Sequence, residues 1–504
     1  MGADVSILSL TLHGFAQLFT VYHLGLMVLG MAGGIVAGAL PGIGPSMAVA
    51  LLLPFTLTMG PITGMILLGA IWVGAIYGGS ITAILFKVPG TPASVATTLD
   101  GYPMTQKGEG DMAIVTALLS SCFGGLVGAI LLLFLFVPLS QISLKFSKPE
   151  YFWLCVFGLT AISSISAKNV LMGVTAVILG LLISTIGMDP IMGTPRFTFG
   201  NFALMQGVHL VPALIGVFAF PQLCEMILHT ESYEVKYHQR GARELLSGVG
   251  AYLIRNCKII LARSSILGTL IGVLPGAGTS IASIIGYNEA MRWDKHPEKY
   301  GTGCMEGVAA SESANNAVIG GSCIPMMALA IPGCPTAAII MGAFLTHGIV
   351  PGSHLLEKSG DIAFVFICSL VVLNFIMVAV GFFMGRPIAK VQKLPAFYIA
   401  PLIMVLCLLG AYTIRNSMTD VYIMLTIGIS VFLGNKVGLP SAPVALGIVL
   451  GSIAEEALSV SLYMAQAEGS LLGTLIMRPI CLVLIAICIV SALSPFFMKK
   501  SKSE

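Results

Sequence analysis

Gly38-Ala39-Leu40-Pro41-Gly42-Ile43-Gly44-Pro45-Ser46 lies inside a long apolar run and returns 234 positions later as Gly272-Val273-Leu274-Pro275-Gly276-Ala277-Gly278-Thr279-Ser280. Proline has no backbone N–H, and Pro-Gly interrupts a helix, so each copy predicts a broken apolar helix. Working outward, further matches follow in the same order. Gly78-Gly79-Ser80 returns as Gly320-Gly321-Ser322, shifted by 242, and Val88-Pro89-Gly90-Thr91-Pro92 as Ile331-Pro332-Gly333-Cys334-Pro335, shifted by 243. The stretch 151–187 resembles 398–434, shifted by 247, which sets Lys168 opposite Arg415. The chain therefore reads as two related halves, 1–227 and 264–504. A polar linker, 228–263, joins them and holds Lys236, Arg240, Arg243, Arg255, Lys258 and Arg263.

Composition names the solvent. Of 504 residues 57% are apolar and 9% charged, where a soluble domain carries about 25% charged residues; the mean hydropathy is +0.97. Apolar runs of about 20 residues recur, among them 21–40, 112–137, 170–186, 365–385 and 479–498, and they predict about 12 crossings. The runs are continuous rather than alternating, so helices satisfy the backbone and a barrel does not. The expected fold is an all-α polytopic membrane protein, two internal repeats with broken or re-entrant helices.

A net charge of +3 gives no sign of nucleic acid. Eleven cysteines stand singly in apolar stretches, which suggests neither a disulfide framework nor a metal site. The N-terminal MGADVSILSL lacks a basic region and a cleavage site, so no cleaved signal is expected. The positive-inside rule puts the linker and Lys499-Lys500-Ser501-Lys502 in the cytoplasm. Lys145 and Lys148 in one half, with Arg386, Lys390 and Lys393 in the other, argue for parallel repeats; an N-terminus without Lys or Arg argues for inverted ones. Both remain open at the level of sequence.

Gly/Pro-interrupted segments at matching places in two halves are the signature of a secondary transporter, with the ligand where the breaks meet. In L-P-G-x-G-x-S the glycines let a ligand approach the backbone. A helix restarting after Gly44 or Gly278 turns free N–H groups and a positive dipole end toward an anion. Ser46, Thr279 and Ser280 add hydroxyls. One copy alone reads more simply as a kinked packing helix; two copies at equivalent places favour a ligand. P-G-T-P and P-G-C-P read the same way, with a hydroxyl on Thr91 but not on Cys334. Lys87, just before the first of these, is placed to meet an anion. Glu306 through Asn316 gathers carboxylate, hydroxyl and amide groups between apolar segments, costly at membrane depth and so functional by default. Its oxygens suit a hard cation, and Glu312 suits a proton; the other reading makes it an extramembrane helix cap.

The stretches GALPGIGPSMAVALLLPFT (38–56), GVLPGAGTSIASIIGYNEA (272–290) and GVAASESANNAVIGGS (307–322), with the P-G-x-P pair, resemble the TctA-type large subunit of tripartite tricarboxylate transporters. The resemblance covers essentially the whole chain. It implies a multi-pass carrier of the bacterial inner membrane for citrate or a related carboxylate, driven by a Na⁺ or H⁺ gradient. It also implies a small membrane subunit and a periplasmic solute-binding protein. No phosphate-binding G-x-x-x-x-G-K-[ST] occurs in the chain.

Together these readings predict alternating-access symport rather than enzyme chemistry, since no nucleophile–base pair is legible. The expected substrate site is Gly42, Gly44, Ser46, Thr91, Gly276, Gly278, Thr279, Ser280 and Asn316. Glu312, Asn315 and Asn316 are the expected ion-coupling residues, with no metal or other cofactor. An anion-selective channel, or a carrier for a different organic acid, is the alternative.

Overall fold

The computed structural model describes residues 7–40, 42–166, 170–189, 192–228, 242–276, 278–391 and 396–500. Pro41, Lys168, Lys236, Arg240, Ala277, Lys393 and Lys502, named above, lie outside them, as do the side chains of Arg243, Arg386, Lys390, Lys499 and Lys500. The first half holds α1 (Ile7–Leu18), α2 (Val21–Ala39), α3 (Pro45–Thr56), α4 (Pro61–Phe86), α5 (Thr97–Gln106), α6 (Gly110–Ser143), α7 (Lys148–Ser166), α8 (Val170–Ser184) and α9 (Leu210–Leu228). A small hairpin, β1 (Gly187–Met188) with β2 (Pro195–Arg196), separates the last two. Next come α10 (Ala242–Tyr252), α11 (Lys258–Val273), α12 (Gly278–Trp293), α13 (Met305–Leu329), α14 (Pro335–Thr346) and α15 (Leu355–Val391). The chain closes with α16 (Ala396–Thr413), α17 (Met418–Lys436), α18 (Ser441–Glu468), α19 (Leu471–Leu475) and α20 (Pro479–Lys500).

Among the described residues, eight helices are long and apolar enough to cross a bilayer, against about 12 crossings expected from the apolar runs. Six further apolar helices, α3, α8 and α14 among them, are shorter; twelve residues of helix, as in α3, rise only about 18 Å. The second part of the polar linker is helical. Residues 242–252 continue through a π turn, Leu253–Cys257, into α11, and Leu245, Val249 and Leu253 are buried at a spacing of four.

Both motif breaks are real interruptions. After α2 and after α11 the chain leaves the helix, and α3 and α12 restart just beyond. Pro45 at the first position of α3 and Pro335 at that of α14 suit the helix start, where no N–H is needed. α4 and α13 end alike, on Lys87 (φ 59°) and Ala330 (φ 58°) in the left-handed conformation, with Val88-Pro89-Gly90 and Ile331-Pro332-Gly333 following. These caps lie 243 residues apart, and the helix crossings agree. A Cβ on Gly34 would stand 2.4 Å from the carbonyl oxygen of Ile71, and one on Gly268 2.1 Å from that of Ala314. The packing thus sets Gly78 opposite Gly321 and Gly79 opposite Ser322. That is one residue away from the Gly-Gly-Ser match in the sequence, because the crossing positions, not the string, fix the register.

Contacts at the helix ends give the relation between the halves. Lys148, at the start of α7, pairs with Glu456 (2.6 Å), and the adjacent Glu455 pairs with Arg196 of the hairpin. So α7 begins at the hairpin end of the molecule and α8 returns to it. Arg415, just after α16, donates to Gln206 (2.9 Å) at the foot of the hairpin, so α16 runs toward that end. At the opposite, linker end, Lys436 of α17 meets Glu225 of α9 (2.6 Å). The equivalent helices α7 and α16 therefore run in opposite directions.

Two bundles result. α2, α4, α6, α11, α13 and α15 pack on one another, and α7, α8, α18 and α20 form a second group, with α17 on α9. α3 and α14 bridge them, α3 touching α9 and α16 and α14 touching α18. At the linker end Asp100 fixes α5 to the first bundle. Its buried carboxylate accepts N–H groups of Gly301 (2.9 Å), Gly303 (2.8 Å) and Cys304 (3.0 Å) ahead of α13, and the Tyr287 hydroxyl (2.9 Å). Asp100→Ala leaves these donors unmatched in the interior and is expected to cost on the order of 3 kcal/mol. The checking measurement is a fall in thermal midpoint, with Asp100→Asn losing less.

Candidate functional site

Four helix N-termini and one short 3₁₀ turn converge on a cavity of about 290 Å³. Gly44-Pro45-Ser46 opens α3, Gly278-Thr279-Ser280 opens α12, and Cys334-Pro335-Thr336 opens α14. Ser441 and Ala442, at the start of α18, and Phe218 and Gln222 of α9 close the wall from the second bundle. Thr91-Pro92-Ala93 adds the 3₁₀ turn. Among the described residues, no charged side chain lines this space. Each N-terminus carries roughly half a positive charge and free N–H groups, so four together present about +2 to whatever enters.

Close backbone approach builds the floor. A Cβ on Gly333 would lie 2.0 Å from the Gly272 carbonyl oxygen, and one on Gly90 2.3 Å from that of Gly38. The Gly276 N–H donates to the Gly333 carbonyl at 3.0 Å, so the L-P-G and P-G-C-P breaks are tied at a point no side chain fits. On the walls, the Ser46 and Thr336 hydroxyls are 3.0 Å apart, and the Gly44 N–H donates to Oε1 of Gln222 at 3.2 Å. The Thr91 hydroxyl is buried with no hydrogen-bond partner.

Seven of the residues singled out by sequence line the cavity: Gly44, Ser46, Thr91, Gly276, Gly278, Thr279 and Ser280. Two do not. Gly42 (φ 89°) reverses the chain and faces Met226, whose Cβ would lie 3.3 Å from a Cβ there. Asn316 belongs to a separate cluster on α13. Gln222, Thr336 and Ser441 escaped the sequence reading. A lone amide in the apolar stretch of α9 was the available signal for Gln222; the hydroxyls had none. Lys87 is outside the lining and lies over the Tyr102 ring, 5.7 Å from its centre.

The second cluster surrounds Glu312, which is wholly buried two turns into α13. Its Oε1 accepts the hydroxyls of Ser80 (2.6 Å) and Thr97, and its Oε2 that of Ser121 (2.9 Å). These hydroxyls come from α4, α5 and α6. Asn316 donates to Ser121 (2.8 Å) and to the Glu312 carbonyl (3.1 Å), while its own Oδ1 is unpartnered. Asn315 is fully buried with neither end of its amide hydrogen-bonded. At a shift of 243 Glu312 falls opposite Gly69 and Asn316 opposite Val73, so the carboxylate and the amide have no counterpart in the first half, which supplies the hydroxyls instead. Ser311 to Asn316 stand inside α13 and are buried, not at its cap. Among the described residues no three His, Cys, Asp or Glu side chains gather as metal ligands.

A larger cavity, about 650 Å³, lies between α8 and α17. Its walls are mostly aliphatic, Ile183, Ile423, Ile427 and Val431 among them, and it gathers no helix N-termini as the first cavity does.

Three comparisons bear on this geometry. The family model described as "Tripartite tricarboxylate transporter TctA family" matches residues 24–446. A protein of Agrobacterium vitis, named "Uncharacterized 52.8 kDa protein in TAR-I ttuC' 3'region", is 36% identical over 491 residues, 97% of this chain and 96% of that one. A second from the same organism, "Uncharacterized protein in TAR-II ttuC' 3'region", is 34% identical over 233 residues, 46% of this chain and 96% of its own. No solved structure matches the chain.

Proposed function

The chain belongs to the tripartite tricarboxylate transporter TctA family, and we propose that it is the large membrane subunit of a symporter importing a small di- or tricarboxylate such as citrate across the bacterial inner membrane. In this reading it works with a small membrane subunit and a periplasmic solute-binding protein, the other components of such tripartite systems. The observation that carries the proposal is the cavity of four converging helix N-termini with no charged side chain among the described residues lining it. A polyanion gains about +2 of dipole charge there and hydroxyl donors from Ser46, Thr279 and Ser280. A fixed Lys or Arg would hold the anion too well to release it.

The remaining negative charge calls for co-transported cations, Na⁺ or H⁺. Glu312, the free Oδ1 of Asn316 and the unpaired amide of Asn315 supply hard oxygen ligands. Thr91 in the cavity and Thr97 on Glu312 sit six residues apart on one short segment, braced by the Ser94 hydroxyl on the Thr91 carbonyl (2.9 Å). Filling one site therefore bears on the other. The basic linker assigns its end to the cytoplasm. Gln222 and Ser441 lie toward that end, so this conformation offers the cavity to the cytoplasm, while α3 and α14 press on the second bundle at the far end. Sliding one bundle past the other exchanges the access.

Calorimetric titration of the purified protein with citrate, succinate and a monocarboxylate tests the reading. Polycarboxylates should bind, more tightly with Na⁺ or at lower pH, and the monocarboxylate should not. Folded protein that binds none of them contradicts it. Ser46→Ala removes a donor and should raise the KM for uptake roughly tenfold. Gly278→Leu forces a branched residue into φ 64° and should lower uptake further, with insertion intact in both. Unchanged kinetics in the two variants would remove this cavity from consideration.

A further inference from the structure

Between α8 and α9 the chain makes an excursion of 25 residues, 185–209, where the second half connects α17 to α18 in four, 437–440. Long connections of this kind are functional far more often than they are filler. Its hairpin is held down by Arg196, paired with Asp189 (3.3 Å) and with Glu455 of α18. Its apolar side chains point away from the protein. Phe199 is 88% exposed and Phe202 80%, with Met192 and Phe197 exposed beside them. Phe197 (φ 53°) and Phe199 (φ 47°) are also left-handed, a conformation that costs a non-glycine residue and that no packing inside this chain repays. Directly beneath the hairpin opens the cavity of about 650 Å³, walled mostly by aliphatic residues of α8 and α17 with Thr426 and Ser430 among them, and rimmed at the hairpin end by Asn201, Thr419 and Tyr422.

We propose that this cavity is a phospholipid site: an acyl chain enters the slot between α8 and α17, and Phe197, Phe199 and Phe202 sit at the headgroup level of the same leaflet. Aliphatic walls with a polar rim match an acyl chain joined to its ester region. Tyr422 on the rim is of the kind enriched where hydrocarbon meets headgroups, and exposed Phe side chains bury at the boundary of headgroups and acyl chains. The ion pairs of Arg196 leave the hairpin without a free cation, so the site takes a zwitterionic lipid as readily as an anionic one. A protein partner seated on the same face is the competing occupant, and the test below separates the two. The bound lipid fixes the second bundle in the bilayer, against which the first moves.

The test has two arms. Native mass spectrometry of gently extracted protein should show a retained phospholipid in the parent chain, and Ile427→Trp, which fills the slot, should lose it. Independently, Phe199→Trp in vesicles should gain fluorescence, relative to the parent, that brominated phosphatidylcholine quenches. A parent chain that retains no phospholipid, together with an added tryptophan that brominated lipid leaves unquenched, overturns the proposal. Quenching relieved when the candidate small subunit is added overturns it as well, in favour of a protein seat. Neither arm depends on transport, so failure here leaves the carboxylate reading untouched.

Discussion

Glu312→Gln is expected to abolish gradient-driven accumulation while leaving a folded, membrane-inserted protein. Glutamine keeps the shape of the side chain. The hydroxyls of Ser80, Thr97 and Ser121 rotate freely enough to meet an amide as well as a carboxylate, so the thermal midpoint should move by the equivalent of about 1–2 kcal/mol. What the amide removes is the only carboxylate of the cluster, and with it the charge that holds a cation or the proton. Labelled substrate should then equilibrate across the membrane and stop. Glu312→Asp should retain partial accumulation, with its dependence on the ion shifted to higher concentration. Accumulation at the normal level in Glu312→Gln would take this residue out of the coupling.

Gly333→Ala is expected to disrupt assembly severely for a single added methyl. The added Cβ would stand 2.0 Å from the Gly272 carbonyl oxygen and 2.8 Å from the Ser322 Cα, both backbone. Neither can swing aside as a side chain does. Since the Gly276 N–H bond to the Gly333 carbonyl (3.0 Å) ties the two motif breaks, separating them opens the floor of the cavity. A loss of about 3 kcal/mol or more follows from overpacking at such a crossing, read as a collapse in the yield of monodisperse protein. Gly33→Ala supplies the control, because a Cβ there meets nothing within 4 Å. If both variants behave alike, the close crossing is not what the glycines serve.

The halves were legible because their breaks need proline and glycine at fixed places, and those residues have few substitutes. Direction was not. Basic residues in the equivalent loops argued one way and the N-terminus the other, and only contacts between ends distant in sequence, Arg415 with Gln206 and Lys148 with Glu456, set α7 and α16 in opposite directions. The cavity was largely legible for the same reason as the repeat: Ser46 and Ser280 stand at the restarts of helices that the motif itself predicts. Gly42 was assigned by membership of the motif, yet its work is to turn the chain against Met226. Glu312 announced itself as a carboxylate in an apolar setting. Its partners Ser80, Thr97 and Ser121 did not, since a single hydroxyl in an apolar helix usually bonds its own backbone. The linker hid its helix because polar composition masked the spacing of Leu245, Val249 and Leu253.

The most direct test is uptake by vesicles holding the chain with its candidate small subunit and binding protein, using labelled citrate and related acids under an imposed Na⁺ or H⁺ gradient. Accumulation that needs both the gradient and the binding protein, and that falls in Ser46→Ala, is the result predicted. No accumulation of any di- or tricarboxylate by well-inserted protein, under either gradient, would contradict it.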